Sequence, residues 1–417
     1  MSNRYDVVVI GGGPAGSTAA ALLAEKGRRV LVLEKERFPR YHVGESLLPY
    51  CYFTFERLGL VDRMTESHFV KKHGVQFVTI QGRISAPFYF FEHFDHPSST
   101  TWQVLRSEFD EMLLKNAASK GAEVLFETTA KELVLEDDTV AGVRAAGPDG
   151  VSRTFEATVT VDASGRDAFA MKKSGWRVKD SDLNKTAVWT YYKGALREEG
   201  IDEGATIVAY LPEKGWFWYI PLPEDTVSVG IVAEPSYLYR DGRDPARMFT
   251  REIANNPWIE AHLSSGTPTG KYWVTGDYSY RSEYCASSGL VLVGDAFAFL
   301  DPVFSSGVFL ALKSGELAAD AVDDALAAGD VSAARFEEYG ETVCQGVETM
   351  RNLVYAFYDP DFSFRDILMK HPELKGDLTD CLIGNLAKDF GPLFRAIGEF
   401  ARLPEPLAHG RPLVAAS

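Results

Sequence analysis

A glycine-rich segment near the beginning of the chain has the spacing of a loop that cradles a diphosphate. Residues 11–16 read GGGPAG and fit the pattern GxGxxG. In this pattern Gly11 permits a tight turn, Gly13 lets the backbone approach a pyrophosphate, and Gly16 lets the following helix pack on the preceding strand. The first chemistry that the sequence indicates is therefore the binding of a dinucleotide cofactor.

The elements around this loop make the pattern more specific. Tyr5–Ile10 is a short apolar run, typical of a strand buried on both faces, and Pro14–Lys26 is predicted to be a helix. A proline at the first turn needs no N–H donor, and the free N–H groups of that turn face the phosphates. A second strand, Arg29–Glu34, ends in Glu34, whose carboxylate is placed to accept hydrogen bonds from ribose hydroxyls.

Later segments extend the cofactor site along the chain. Arg40 follows the second strand closely and is placed to reach the pyrophosphate, and Asp295 is placed to bind the ribityl chain. Residues 102–106 (WQVLR), 162–166 (DASGR) and 294–295 (GD) resemble motifs of glutathione-reductase-type and p-hydroxybenzoate-hydroxylase-type flavoproteins. This resemblance implies FAD. The predicted cofactor-binding residues are Gly11, Gly13, Pro14, Ala15, Gly16, Glu34, Lys35, Arg40, Glu45, Ser46, Arg106, Asp295, Pro302 and Gly307.

An aromatic string narrows the choice of reaction. Residues 216–221 read WFWYIP and contain W-x-W-x-I-P, which resembles the signature of FAD-dependent halogenases. A related string occurs in geranylgeranyl-reductase-like flavoproteins, and alternating aromatic residues are also common in the core of β-sheets. The resemblance implies that Trp216, Trp218, Ile220 and Pro221 line the flavin and a tunnel beside it.

A pair of lysines stands where halogenases of this type have one essential lysine. Residues 71–77 read KKHGVQF, and by spacing from Phe77 the better match is Lys72, with Lys71 as the rival. The resemblance implies that Lys72 is catalytic, because a long donor side chain in a tunnel can hold, polarise or trap hypohalous acid. The alternative is a pair of surface lysines in a turn.

Two further segments resemble the halogenase group. Residues 301–308 read DPVFSSGV and open a long helix, so the N–H groups of Ser306 and Gly307 are predicted to bind halide beside the flavin. The same donors have a competing role in binding a carbonyl of the flavin. Glu45 and Ser46 belong to a G-E-S segment and are assigned to the surroundings of the isoalloxazine ring, not to acid–base catalysis.

The resemblance to FAD-dependent halogenases, in their phenol and pyrrole branch, implies a complete reaction. A separate flavin reductase supplies reduced FAD, which with O2 and chloride or bromide gives hypohalous acid. That acid moves to Lys72 and halogenates an electron-rich aromatic ring, a pyrrole or a phenol, free or attached to an acyl or peptidyl carrier protein, in natural-product or antibiotic biosynthesis. Two alternatives stay open, a geranylgeranyl-reductase-like alkene reductase and an FAD-dependent aromatic hydroxylase.

Composition excludes several other classes of protein. The net charge of −16 argues against nucleic acid as a partner, and no apolar run is long enough to span a membrane. The chain begins without a signal peptide, so a cytoplasmic enzyme is expected. The four cysteines form no CxxC pair and the eight histidines show no metal-binding spacing, so no metal site is predicted.

The elements that must position these residues form an α/β fold with two parts. We predict a p-hydroxybenzoate-hydroxylase-like FAD-binding Rossmann-type domain over residues 1–70, 103–175 and 276–330. It is interleaved with a β-rich substrate domain over 71–102 and 176–275, and a helical region follows over 331–417. This interleaving predicts a substrate pocket at the seam between the two domains.

Overall fold

A computed structural model describes residues 4–276, 279–360, 362–386 and 388–414, and among them two large β-sheets face each other. The strands are β1 (Arg4–Ile10), β2 (Val30–Leu33), β3 (Val70–Lys72), β4 (Gly74–Val78), β5 (Phe88–Tyr89), β6 (Thr101–Gln103), β7 (Glu123–Leu125), β8 (Thr129–Glu136), β9 (Thr139–Ala146), β10 (Ser152–Asp162), β11 (Arg177–Lys179), β12 (Thr186–Lys193), β13 (Thr206–Tyr210), β14 (Trp216–Leu222), β15 (Thr226–Ala233), β16 (Thr267–Pro268), β17 (Trp273–Thr275), β18 (Tyr280–Ser282), β19 (Ala286–Ser287), β20 (Leu290–Leu292) and β21 (Ala298–Phe299).

The helices cover both sheets and fill most of the C-terminal part of the chain. They are α1 (Pro14–Glu25), α2 (Cys51–Leu58), α3 (Val61–Thr65), α4 (Arg106–Ser119), α5 (Phe169–Lys173), α6 (Pro235–Leu238), α7 (Pro245–Ile253), α8 (Pro257–Leu263), α9 (Ser306–Ala328), α10 (Glu337–Tyr358), α11 (Phe364–Lys370), α12 (Lys375–Ile383) and α13 (Gly391–Ile397).

The first sheet has the strand order β19-β20-β10-β1-β2-β7, with β1, β2, β7, β10 and β20 running parallel. Residues 7–10 of β1 and all of β2 and β20 are apolar because both faces of the sheet are covered there. Val7 and Val9 belong to the core that contains α1, α4 and α9, whereas Val8 and Ile10 pack beneath the β8–β9 hairpin. This arrangement places the loop after β1 at the carboxyl edge of the sheet, where nucleotides bind in such folds.

The second sheet has the order β16-β12-β15-β14-β13-β4-β5 and is antiparallel except where β4 meets β13. Side chains alternate between its faces. One face, including Trp216 and Trp218, turns towards the first sheet, and the other, including Phe217 and Tyr219, packs against α6, α7 and α8. One face of the second sheet is thus available to close a cavity over the first.

One difference from the sequence prediction has a local cause. Residues 71–102 are predicted to be β-rich, but only the short strands β3, β4, β5 and β6 form there, and 3-10 turns at 90–92 and 97–99 separate β5 from β6. Aromatic content favours strands only where a neighbouring strand can pair.

Within the described ranges, no helix is long and apolar enough to cross a membrane, and no group of metal-binding side chains assembles.

Candidate active site

A cavity of about 400 Å³ lies between the two sheets and collects most of the residues singled out in the sequence. The predicted site residues that line it are Gly11, Gly13, Pro14, Ala15, Glu34, Lys35, Arg40, Glu45, Ser46, Arg106, Trp216, Trp218, Ile220, Asp295, Pro302 and Gly307. Four others lie outside the lining: Gly16, Lys72, Pro221 and Ser306. Residues more than 200 positions apart in the chain therefore share one cavity.

The loop after β1 is open towards the cavity at Gly13, but it has no room for a side chain at Gly11 or Gly16. Gly11 has a φ of +100°, and a Cβ there would lie 2.5 Å from the Ala163 carbonyl oxygen. A Cβ on Gly16 would lie 2.0 Å from the Gly11 carbonyl oxygen, so this glycine allows α1 to pack on β1. At Gly13 the nearest atom is an Arg40 nitrogen at 3.5 Å, so a side chain there would enter the cavity itself.

Glu34 lies at the end of β2 and fixes the loop from the other side. Its carboxylate accepts hydrogen bonds from the backbone N–H groups of Gly12, at 2.7 Å, and Glu36, at 2.8 Å. The side chain is buried yet lines the cavity. Glu34 therefore presents a fixed carboxylate where the ribose of a dinucleotide is expected.

Two arginines converge on a buried carboxylate beside the loop. Asp110 on α4 accepts hydrogen bonds from Arg106 Nε at 2.7 Å and Nη2 at 3.0 Å, and Arg40 Nη1 lies 3.2 Å from its Oδ2. Burial alone would raise the pKa of Asp110, but the guanidiniums outweigh it and lower the pKa. In the described part of the chain, Arg40 Nη1 is buried without a hydrogen bond, which leaves a donor for an anion in the cavity.

Asp295 lies in the first turn after β20 and faces the same cavity. Burial raises the pKa of its carboxyl to about 6, against the opposing charges of Arg166 and Arg106. Lys35 and Asp167, which also line the cavity, pair with each other across it.

These residues fit FAD. The open approach at Gly13, the carboxylate of Glu34 and the guanidinium of Arg40 match the pyrophosphate and ribose of a dinucleotide. Asp295 would hold the ribityl chain, and the second sheet would cover the flavin. When bound, FAD supplies the redox chemistry of the site.

The aromatic string forms the wall of the cavity on the second sheet. Trp216, Trp218 and Ile220 are alternate residues of β14 and all line the cavity. Pro221 was predicted to join this wall, but it does not line the cavity because the alternation of a strand turns it away. Trp218 donates a hydrogen bond from Nε1 to Ser228 Oγ at 3.0 Å, which fixes the indole over the backbone of β15.

We expect Gly230→Ala to displace Trp218 and to lower the free energy of unfolding by about 1–3 kcal/mol. A Cβ on Gly230 would lie 2.2 Å from the indole of Trp218, so the two groups cannot both keep their places. Chemical denaturation and near-ultraviolet circular dichroism would measure the effect. The double variant Gly230→Ala with Trp218→Phe should regain part of the lost stability; strictly additive effects would show that the indole is not the cause.

Lys72 lies behind the cavity wall with its ammonium directed at a residue of that wall. The side chain is 1% exposed, and Nζ donates hydrogen bonds to Ser46 Oγ at 2.9 Å and to the Leu47 carbonyl at 3.2 Å. Burial lowers the pKa of Lys72 to about 7. Its neighbour Lys71 is exposed, because adjacent residues of β3 point to opposite faces.

The turn before α9 contacts the cavity through its backbone. Ser305 adopts a left-handed conformation with a φ of +55°, and Ser306 is the first residue of α9. The Ser306 side chain is buried away from the cavity, whereas Gly307 lines it, and among the described residues nothing lies within 4 Å of where a Gly307 Cβ would be. The first N–H groups of a helix have no intrahelical acceptor, so this turn can bind an anion.

A buried carboxylate connects this turn to the aromatic wall. Asp301 accepts hydrogen bonds from the Val303 N–H at 3.1 Å and from Tyr358 OH at 2.8 Å. Tyr358, at the end of α10, in turn accepts a hydrogen bond from Trp216 Nε1 at 2.8 Å. Burial raises the pKa of Asp301 to about 6. Through Tyr358, α10 thus supports the cavity wall from behind.

Several residues of the site were not found from the sequence. Thr206 accepts a hydrogen bond from Gln103 Nε2 at 2.9 Å, and its hydroxyl lies 2.9 Å from that of Ser46. Gln103, in the segment 102–106 that resembles a flavoprotein motif, does not line the cavity and supports Thr206 from behind it. Tyr191 donates a hydrogen bond to Glu45 at 2.7 Å. Only the spacing of Arg106 and Asp110, one helical turn apart, offered a signal in the sequence.

Comparisons with known proteins agree with this geometry. A family profile described as tryptophan halogenase matches residues 6–100 and 91–365. The chain is 32% identical to a 1H-pyrrole-2-carbonyl-(peptidyl-carrier protein) brominase of Pseudoalteromonas luteoviolacea, over 91% of this chain and 92% of the brominase. It is 34% identical to a tryptophan 2-halogenase of Chondromyces crocatus, over 86% of this chain and 69% of that protein. A solved flavin-dependent brominase superposes with a TM-score of 0.87 at 30% identity, covering 95% of this chain and 99% of the brominase.

Proposed function

Because this chain belongs to the tryptophan halogenase family, whose members include flavin-dependent halogenases, we propose that it halogenates a pyrrole or phenol ring attached to a carrier protein. Halogenation needs FAD and a halide, and the alkene reductase and hydroxylase alternatives are set aside because the matched relatives are halogenases. The proposal adds to family membership the substrate class, the catalytic lysine, the halide site and the source of electrons.

The burial of Lys72 is the observation that supports its role best. A buried amine with a pKa of about 7 is divided between its charged and neutral forms near neutral pH. The charged form can donate a hydrogen bond to hypohalous acid, and the neutral form can be halogenated at nitrogen. Ser46 lines the cavity and accepts a hydrogen bond from Nζ, so the lysine lies directly behind the cavity wall.

The turn at residues 305–307 is the proposed halide site. Its helical N–H groups and the partial positive charge of a helix N-terminus favour an anion. Gly307 and Ser305 both line the cavity, and Pro302 lines it on the same side. The hydrogen bonds of Asp301 hold the turn in place, so a halide would meet a rigid set of donors.

An aromatic cluster beside the halide turn packs behind the aromatic wall of the cavity. Its five rings form a closed circuit of contacts with centroid distances from 5.5 to 6.4 Å. The cluster consists of Phe77, Tyr210, Phe304, Phe357 and Phe364. Phe357 also contacts Trp216 in the cavity wall, at 6.4 Å. Trp189, Trp216 and Trp218 line the cavity itself, and because aromatic rings stack favourably on one another this wall suits a pyrrole or a phenol.

The carrier-bound form and the reductase rest on likeness to relatives. The brominase that acts on a pyrrole group carried by a peptidyl-carrier protein matches along nearly its whole length. The tryptophan 2-halogenase matches over a smaller share of its length. We therefore favour a tethered ring over free tryptophan, and a separate flavin reductase as the supplier of reduced FAD.

A turnover assay tests this proposal directly. Purified protein would receive FAD, a flavin reductase, chloride or bromide, and matched substrates: a pyrrole-2-carbonyl group on a carrier protein, the free acid, a phenol and tryptophan. Mass spectrometry should show halogen added to the carrier-bound pyrrole, with slower or no reaction of tryptophan. Photochemically reduced FAD should replace the reductase, because that partner only delivers electrons. Products that gain oxygen or hydrogen, and never halogen, would contradict the proposal.

A further inference from the structure

Glu45 is a buried carboxyl group that lines the cavity, and it has no role in the proposed function as stated so far. It is 2% exposed and lines the cavity next to Ser46. Its Oε1 accepts a hydrogen bond from Tyr191 OH at 2.7 Å, and its Oε2 accepts one from the Gly44 N–H at 3.1 Å. Burial raises the pKa of Glu45, against the opposing effects of the Tyr191 hydroxyl, the backbone N–H and the charge of Arg106.

With the Tyr191 hydroxyl donating to Glu45, the other hydrogen bonds of this network have one direction. Each tyrosine hydroxyl has one hydrogen, and that of Tyr191 is donated to Glu45. The contact of 3.1 Å between the Tyr191 and Tyr41 hydroxyls must therefore use the hydrogen of Tyr41. Tyr41 in turn accepts a hydrogen bond from Trp189 Nε1 at 2.6 Å, an indole nitrogen that can only donate. The hydrogen bonds of Trp189, Tyr41 and Tyr191 thus all point towards Glu45.

Tyr41, at the outer end of this series of hydrogen bonds, is a partly exposed residue. Tyr41 is 46% exposed, whereas Glu45 is almost completely covered even before any cofactor is considered. Trp273 holds the tyrosines in place, stacking on Tyr41 at 4.8 Å and meeting the edge of Tyr191 at 5.5 Å. The two hydroxyls therefore link a half-exposed tyrosine to a carboxyl group that lines the cavity.

The stoichiometry of halogenation requires a supply of protons to the cavity. Oxidation of the halide converts reduced FAD, O2, one halide ion and one proton into FAD, hypohalous acid and one water. The unproductive reaction converts reduced FAD and O2 into FAD and hydrogen peroxide, and takes up no proton. Halogenation of the ring by hypohalous acid then gives the halogenated ring and water. Each productive turnover therefore takes one net proton from solvent, and the unproductive turnover takes none.

We propose that Glu45 delivers this proton as a catalytic acid and is recharged from solvent through Tyr191 and Tyr41. The carboxyl group gives up one proton towards the cavity and takes its replacement from Tyr191 at Oε1. Tyr191 receives the hydrogen of Tyr41, and Tyr41 receives one from water. Neither tyrosine has to ionise, because each hydroxyl accepts one proton at the same time as it donates another. The inference rests on the halogenase activity, not on the identity of the substrate.

The first test measures how the oxidation of reduced FAD is partitioned between halogenated product and hydrogen peroxide. Glu45→Gln keeps the shape of the side chain and removes its exchangeable acid proton. We expect halogenated product to fall about 10²-fold, with hydrogen peroxide accounting for most of the FAD oxidised. Tyr191→Phe and Tyr41→Phe should shift the partition the same way by a smaller factor. Tyr192→Phe is the matched control, because Tyr192 lies on the opposite face of β12 among apolar residues and should leave the partition unchanged.

The second test does not depend on turnover. In the resting protein with oxidised FAD, the protonated Glu45 carboxyl should give an infrared band that is lost in Glu45→Gln. Its exchange with deuterium from solvent should slow in Tyr191→Phe and Tyr41→Phe and keep its wild-type rate in Tyr192→Phe. Absence of the band at the assay pH, or unchanged exchange and partition in the tyrosine variants, would overturn the proposal. A wild-type protein that makes only peroxide with every substrate would instead count against the proposed function.

Discussion

Replacing Lys72 by methionine is expected to abolish halogenation while FAD still binds and reduced FAD is still reoxidised by O2. Methionine fills nearly the same volume but can neither donate to hypohalous acid nor be halogenated at nitrogen. The hydrogen bonds to Ser46 Oγ and the Leu47 carbonyl are lost, whereas the pyrophosphate loop and the paired arginines stay intact. Product formation should fall by at least about 10³-fold, as expected when a group that acts on the reacting atoms is removed.

Lys71→Met is the matched control for this change. Lys71 is adjacent and has the same charge but is exposed, so its loss should change turnover little. Mass spectrometry of product, fluorescence titration of FAD and stopped-flow reoxidation would separate the three effects. Halogenated product from Lys72→Met at the wild-type rate would show that the lysine assignment is wrong.

The same variant has a signature in stability. A lysine whose pKa falls from 10.5 to about 7 on folding binds more protons when unfolded between those pH values. Wild-type stability should therefore rise with pH across this window, because burial of the neutral amine carries no charge penalty. The stability of Lys72→Met relative to wild type should therefore fall by about 5 kcal/mol as the pH rises from 7 to 10.5, on top of a constant offset from the two lost hydrogen bonds. Denaturation at several pH values would measure the difference, in which the other titrating groups cancel.

The sequence was sufficient for the parts of the site that depend on local pattern. The glycine loop, Glu34 and the helix beginning at Ser306 are each defined by a few neighbouring residues, and all were located before the structure was considered. Alternation along a strand could have excluded Pro221 from the wall, because it directly follows Ile220. The choice between Lys71 and Lys72 needed the orientation of β3, which depends on its pairing with β6.

The remaining parts of the site depend on contacts that no local pattern contains. Tyr191 meets Glu45 across 146 positions, and Trp216 meets Tyr358 across 142. In the sequence Tyr191 and Tyr358 are ordinary aromatic residues of a strand and a helix, and core packing is the simpler interpretation of both. Their hydrogen bonds appear only when the second sheet and α10 are brought against the first sheet.

Asp110→Asn is expected to weaken both the fold and the binding of FAD, because one carboxylate serves two arginines. Asp110 is fully buried, and Arg106, 6% exposed, forms two hydrogen bonds with it while also donating to the Val43 and Gly44 carbonyls. Removing one partner of a buried ion pair leaves an uncompensated charge and lowers the free energy of unfolding by about 3–5 kcal/mol. FAD should bind about 10- to 100-fold more weakly, since Arg40 and Arg106 lose the group that orients them.

The pH dependence of stability distinguishes this carboxylate from an ordinary surface acid. The pKa of Asp110 is lowered in the folded protein, so its stabilising effect is complete above its unfolded value near 3.8 and is lost as the pH falls through the folded value. The difference in unfolding free energy between wild type and Asp110→Asn should therefore be constant near neutrality and shrink below about pH 4.

Glu111→Gln provides the control, because this neighbour on α4 forms only a surface ion pair with Lys115, expected to contribute less than about 1 kcal/mol. Calorimetry and fluorescence titration would measure stability and FAD affinity in both variants. If Asp110→Asn loses stability but binds FAD as tightly as wild type, Asp110 has only a structural role. Arg40 and Arg106 would then not hold the pyrophosphate, and the anion at that end of the cavity would depend on the N–H groups of the loop alone.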